Sequence, residues 1–209
     1  IVTGDWSSDV CSSDLAHGSG GNGTAAARVA AGSAAGNPAA TAGGSAQPMN
    51  QAITMHGWAG DASNWRHWRE ELMAAGWHWS DGERGYGDLP PRAPHWHPEP
   101  GRRLLIAHSL GLHLLNDSVI ETATDVVLLG SFGRFVPNGR AGRAIRAGLA
   151  GMASALGSSE ETGMLERFLA RAAQPLPLSA LPPSPLLGGV TAAGRCRLAA
   201  DLSLLQECS

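Results

Sequence analysis

Arg103-Leu104-Leu105-Ile106-Ala107-His108-Ser109-Leu110-Gly111 decides the fold. Five residues with a strongly apolar centre run into a small-x-Ser-x-Gly pentapeptide, and the apolar stretch Leu112 to Ile120 then predicts a helix. A strand that breaks into a helix across one serine needs small residues two before and two after it. Ala107 and Gly111 meet that demand. Such a turn lifts the Ser109 hydroxyl clear of the sheet and sets it at a helix N-terminus. There the backbone dipoles favour developing negative charge. Ser109 is therefore the candidate nucleophile.

Working outward, Ala52 to Met55 is a short apolar run ending at His56-Gly57, the pattern of a buried strand entering a turn. Asp61 or Ser63 can cap a helix over 64–75, in which Trp65, Trp68 and Leu72 recur at helical spacing and Gly76 gives the stop. Trp77-His78-Trp79 predicts a second strand, residues 81–101 a Gly- and Pro-rich loop, and Asp125 to Leu129 a further strand closed by Gly130-Ser131. Strands separated by helix-length segments imply parallel crossovers, hence an α/β sheet. After Phe135 the pattern is helical. One helix is expected over 141–156, and a second, opened by a Ser158/Glu161 capping box, reaches Ala173. A Pro-rich linker over 174–189 precedes a last helix over 192–206, with Leu198, Leu202 and Leu205 on one face. The expected organisation is a core over 49–134, a helical cap over 135–190 and a return helix over 191–209.

A strand ending in His56-Gly57-Trp58 can turn a backbone N–H back over the serine turn. The N–H groups of Trp58 and Leu110 are then the candidate oxyanion hole. Glu83-Arg84-Gly85-Tyr86-Gly87 is a third loop in compatible order.

Together these three motifs resemble the α/β-hydrolase family, and within it the pimeloyl-[acyl-carrier protein] methyl ester esterases of biotin synthesis. Glu166-Arg167-Phe168-Leu169-Ala170 in the cap and Asp201-Leu202 on the last helix also match, so the resemblance spans residues 52–205. It implies an α/β-hydrolase fold with a helical cap, and a serine carboxylesterase acting on an ester borne by acyl carrier protein. It implies no cofactor and no metal. The pocket expected on this basis is lined by His56, Gly57, Trp58, Ser131, Phe132 and Phe135. Glu83 stands where the family usually has Asp, and Leu112 where a second Gly often follows the serine turn. The triad order in such hydrolases is Ser, Asp, His on successive strands. With the chain ending at Ser209, the expectation is a fold cut short, with triad acid and base beyond that end and the fragment inactive.

The internal histidines are read individually. His56 should hold the oxyanion turn by hydrogen bonds, and His108 should point from Ser109 toward the sheet. His113 follows one helical turn after Ser109. His95-x-His97 lacks a visible third ligand, which favours a solvated loop over a metal fragment. The run of tryptophans from Trp58 to Trp96 is expected in the core, with Trp58 itself at the pocket mouth. Arg134, Arg140, Arg143 and Arg146 precede any acid of the cap. Arg140, Arg143 and Arg146 are the candidate docking surface for an acidic partner such as acyl carrier protein.

Composition narrows the field further. The 209 residues carry a net charge of −3, and all 15 basic residues are Arg. A bulk nucleic-acid or anionic-membrane partner is not expected. No apolar run approaches a membrane span. Cys11, Cys196 and Cys208 form no metal spacing, which points to a reducing, cytoplasmic setting; a monomer is expected. Residues 16–48 are nearly all Ala, Gly, Ser, Thr, Asn and Pro, and a disordered leader is expected over 1–48. Within it Asn22-Gly23-Thr24 matches a glycosylation sequon, and residues 5–15 resemble a translated sequencing adapter. Two other readings stay open: an esterase of the same fold on a small-molecule ester, and a non-catalytic binding module.

Overall fold

In the computed structural model, residues 48–208 are described. The expectations for the leader, Cys11 and the sequon lie outside them, apart from residue 48.

Four strands form one all-parallel sheet in the order β2-β1-β3-β4: β1 Gln51–Met55, β2 His78–Gly82, β3 Arg103–His108 and β4 Asp125–Leu129. In register, Met55 lies beside Gly82 and Ala107, and His108 beside Leu129. The carboxyl ends of all four strands therefore gather at one edge. Helices α1 (Arg66–Ala74), α2 (Asp117–Glu121), α3 (Arg143–Ala155), α4 (Glu161–Ala172) and α5 (Ala192–Glu207) complete the chain. The α/β class expected from the strand and helix spacing is what forms. Among the described residues, no helix is long and apolar enough to cross a membrane.

β1 is buried at every position, as befits a central parallel strand covered on both faces. α1 starts where Asp61 caps the short 3-10 turn before it, taking the Ser63 N–H at 2.8 Å, and it stops where Gly76 adopts φ +82°. α5 opens on Thr191, whose hydroxyl accepts the Gly194 N–H at 3.0 Å. Leu198, Leu202 and Leu205 are all buried on its inner face.

Four expectations are corrected. The helix over 112–120 is not continuous: a tight 3-10 turn, Ser109–Leu114, is followed by an extended Leu115-Asn116 and then by α2. Leu110, Leu114 and Leu115 are all buried, and the break lets adjacent leucines face the core where one helix would turn one of them outward. The capping box is shifted. α4 begins at Glu161, so the Glu161 carboxylate takes the Gly157 N–H (2.7 Å) and the Arg195 guanidinium, while the Ser158 hydroxyl accepts from Glu160 N at 3.1 Å. The second strand starts at His78 and runs on to Gly82, because β1 offers pairing partners as far as Met55. Trp68, expected in the core, is 43% exposed: it stands on α1, where no residue is fully buried, while Trp65 in the turn before it is buried.

Candidate functional site

Ser109 sits where β3 ends, with φ +53°. Among the described residues it shares a positive φ, outside glycine, only with Ala59 at +59°. L residues avoid this region because Cβ crowds the backbone, and residues held there concentrate at functional sites. Both strained residues belong to one junction. A Cβ placed on Gly57 would lie 2.8 Å from Ser109 Cβ and 3.0 Å from the His108 carbonyl oxygen. A Cβ on Gly111 would lie 2.4 Å from the Met55 carbonyl oxygen. Glycine at 57 and 111 is thus what lets the turn after β1 and the turn after β3 touch.

The turn after β1 closes with Gly60 N donating to Gly57 O at 3.1 Å. Among the described residues, nothing accepts the Trp58 backbone N–H, and nothing is bonded to the Ser109 hydroxyl. Leu110 N–H belongs to the first turn of its helix, where no intrahelical acceptor exists. Two backbone donors therefore stand open beside the serine turn.

His56 fixes this junction from behind. Its Nδ1–H donates to Gly57 O at 2.9 Å, and its Nε2 accepts the Arg84 N–H at 3.1 Å. Glu83 Oε1 lies 3.3 Å from the same Nε2. Burial pushes the Glu83 carboxyl up, but His56 and the N–H groups of Gly85 and Ala62 outweigh it and hold the group below its ordinary value. The expectation that His56 holds the turn by hydrogen bonds matches this arrangement.

Sequence reasoning did not find the clamp behind His56. Asp201, 1% exposed, receives Arg84 through both carboxylate oxygens at 2.7 Å and the Tyr86 hydroxyl at 2.6 Å. Burial, then the Asp201 carboxylate, pushes the Tyr86 phenol well above its ordinary range. Arg197 adds a bond to Gly85 O at 2.9 Å. α5 is tied through this clamp to the 83–87 loop, and through that loop to His56 and the serine turn. Both ends lie in motifs legible in the sequence, but 115 residues separate Tyr86 from Asp201, and no local spacing links them.

Other site residues lie elsewhere than expected. The Trp58 side chain is not at a pocket mouth. It is 6% exposed, packs edge-on to Phe168 at 4.8 Å and donates its indole N–H to Leu198 O at 2.9 Å. Its ring turns into the seam between sheet and helices because α4 and α5 offer an aromatic face and a carbonyl there. His108 does not point into the sheet: it is exposed, and partial burial followed by the nearby His56 holds its pKa below the ordinary value. His113 donates to Phe132 O at 2.7 Å and stacks on Phe132, which in turn meets Phe135. Ser131 donates to Ala107 O at 3.3 Å. These residues form a second cluster beside the one around Ser109. Arg140 lies in the turn before α3 and Arg143 at its first residue, both exposed. Arg146 is half-buried and occupied by the carbonyls of Pro137 and Gly139. His78 and His97 meet edge to face at 4.5 Å, but no group of three or more His, Cys, Asp or Glu side chains among the described residues could hold a metal.

A cleft of about 290 Å³ opens at the carboxyl edge of the sheet. His56, Ala59 and His108 line it from the strand ends, Trp65 from the turn before α1, and Leu169 and Ser184 from the cap side. In open parallel sheets this edge is where ligands bind. Comparison with models of known protein families and with curated proteins gives no match for this chain.

Proposed function

We propose that the chain carries the nucleophile and oxyanion half of a serine carboxylesterase with an α/β-hydrolase fold. One observation carries the reading: the left-handed backbone of Ser109 at the end of β3, pressed against Gly57 with the Trp58 and Leu110 N–H groups open beside it. Strain at that position has no evident structural use, whereas a nucleophile raised clear of a sheet requires it. Ser109 Oγ attacks the ester carbonyl carbon, and the oxygen takes the Trp58 and Leu110 N–H groups as its charge develops. The alcohol departs, and water later releases the acyl group. In this reading the proton shuttle is a histidine oriented by an aspartate, as the resemblance implies; His56 and His113 are engaged elsewhere.

As substrate, the resemblance suggests the methyl ester of pimeloyl-acyl carrier protein, docked on Arg140 and Arg143. Arg146, bonded to its own loop, is removed from that surface. This favours, as a second reading, a small soluble ester that never meets the outer cap.

Phenylboronic acid tests the nucleophile, because a serine oxygen converts its trigonal boron to a tetrahedral one resembling the intermediate. The ¹¹B spectrum of the chain should gain a tetrahedral signal that Ser109→Ala removes. The same signal in both proteins, or in neither, would sink the reading.

A further inference from the structure

A backbone donor is aimed by whatever holds its peptide. The Trp58 N–H shares one planar trans peptide with the Gly57 carbonyl, so the two point in opposite directions. Whatever fixes Gly57 O therefore aims the Trp58 N–H. Two donors take that oxygen: the Gly60 N–H at 3.1 Å and His56 Nδ1–H at 2.9 Å. The second bond requires a proton on Nδ1. The Arg84 N–H, donating to Nε2 at 3.1 Å, favours the tautomer that carries it there.

The hold on His56 leads back to α5. The Arg84 guanidinium meets both oxygens of Asp201 at 2.7 Å, and the Tyr86 hydroxyl donates to the same carboxylate at 2.6 Å. A second route reaches the same peptide from its other side, because the Trp58 indole N–H donates to Leu198 O at 2.9 Å. Leu198 and Asp201 stand one turn apart on α5, and neither is more than 1% exposed. Two hydrogen-bonded routes thus join one helix to one peptide more than a hundred residues away. The other open donor, Leu110 N–H, belongs to the turn after β3. Among the described residues no hydrogen bond joins that turn to α5.

We infer that Asp201 and Tyr86 are positioning residues: together with the Trp58 indole, they let α5 set the direction of the Trp58 N–H. The inference rests on the esterase reading for the use of that N–H as an oxyanion donor, and on the hydrogen bonds alone for its direction. Loosening α5 should then misdirect one of the two donors and spare the other.

The test uses the ¹⁵N-labelled full chain, weakly aligned, in which the residual dipolar coupling of each amide reports the direction of its N–H. Asp201→Asn and Trp58→Phe should change the coupling at residue 58 and leave that of Leu110 as in the parent. Tyr86→Phe, which removes a single hydroxyl, should do the same to a smaller extent, and it serves should Asp201→Asn not fold. Each variant should bind phenylboronic acid about fivefold more weakly, the worth of one hydrogen bond. The amide shift on binding should shrink at residue 58 and not at Leu110. Couplings at residue 58 that stay at the parent value in Trp58→Phe and Tyr86→Phe overturn the inference. Equal changes at residue 58 and Leu110, the mark of a general loosening, overturn it as well. A changed coupling at residue 58 with no tetrahedral boron signal in the parent sinks the nucleophile and leaves the hold of α5 standing. The boron signal with unchanged couplings sinks the positioning alone.

Discussion

β1 and β4 are both five-residue strands of the same sheet, yet the molecule treats them differently. Every residue of β1 is buried, whereas Val126 and Leu128 of β4 are 49% and 50% exposed. The ion pairs follow the same division. Arg84 and Asp201 meet bidentately in the interior behind β1; Arg102 and Asp125 meet with similar geometry at the open start of β4. An apolar run thus establishes a strand but not its cover. A bidentate pair has structural weight only where water is kept from it.

The largest contrast should come from those two carboxylates. Asp201→Ala takes the shared carboxylate from the half-buried Arg84 guanidinium and the buried Tyr86 phenol, and should cost about 3–5 kcal/mol in urea unfolding. Asp125→Ala should leave the urea midpoint unchanged. Equal losses would erase the distinction between the two sides.

Glycines sharpen it next. A Cβ on Gly194 would lie 2.0 Å from the Tyr86 carbonyl oxygen, a backbone atom that cannot step aside. Gly194→Ala should lose about 3 kcal/mol, the upper end of ordinary overpacking. At Gly130, after β4, the φ of +59° is the sole obstacle and the space is open, so Gly130→Ala should cost about 1 kcal/mol. Reversal of that order would show α5 to be loosely seated.

Acid should loosen the β1 side through Glu83. Its folded pKa is depressed below the ordinary 4.5, so its contribution is complete above that value and disappears as pH falls through the folded value. Glu83→Gln should flatten the stability profile below about pH 4.5 and leave the slope unchanged above it. An unaltered acid limb would mean that the His56–Glu83 contact adds nothing to folding.

The smallest effect on stability belongs to the β4 face. Val126→Thr with Leu128→Gln should shift the unfolding midpoint by no more than about 0.5 kcal/mol. It should also lower self-association in light scattering, because it removes exposed apolar area. A cooperative loss of stability would show that face to be covered.

How legible these differences were depended on range. The strand cores, the Asp61 cap, the stop at Gly76 and the serine turn are written in contiguous residues, and each was readable. The Arg84–Asp201–Tyr86 clamp was not, because its partners meet across more than a hundred residues. Trp58 illustrates the same limit. Its position after His56-Gly57 suggested a pocket mouth, but the acceptor that fixes its ring, Leu198 O, is 140 residues away. His108 turned outward because its position at the last residue of β3 frees it from the alternation of the strand interior.

The proposed function claims that strain at Ser109 serves to present a nucleophile, and stability can report that strain directly. Ser109→Gly removes the Cβ penalty of a φ near +53° and, with it, the hydroxyl. Unfolding by urea should show Ser109→Gly more stable than the parent by about 1 kcal/mol. A variant equal to the parent or less stable would mean that the serine holds the turn for the sake of the fold, contradicting the claim.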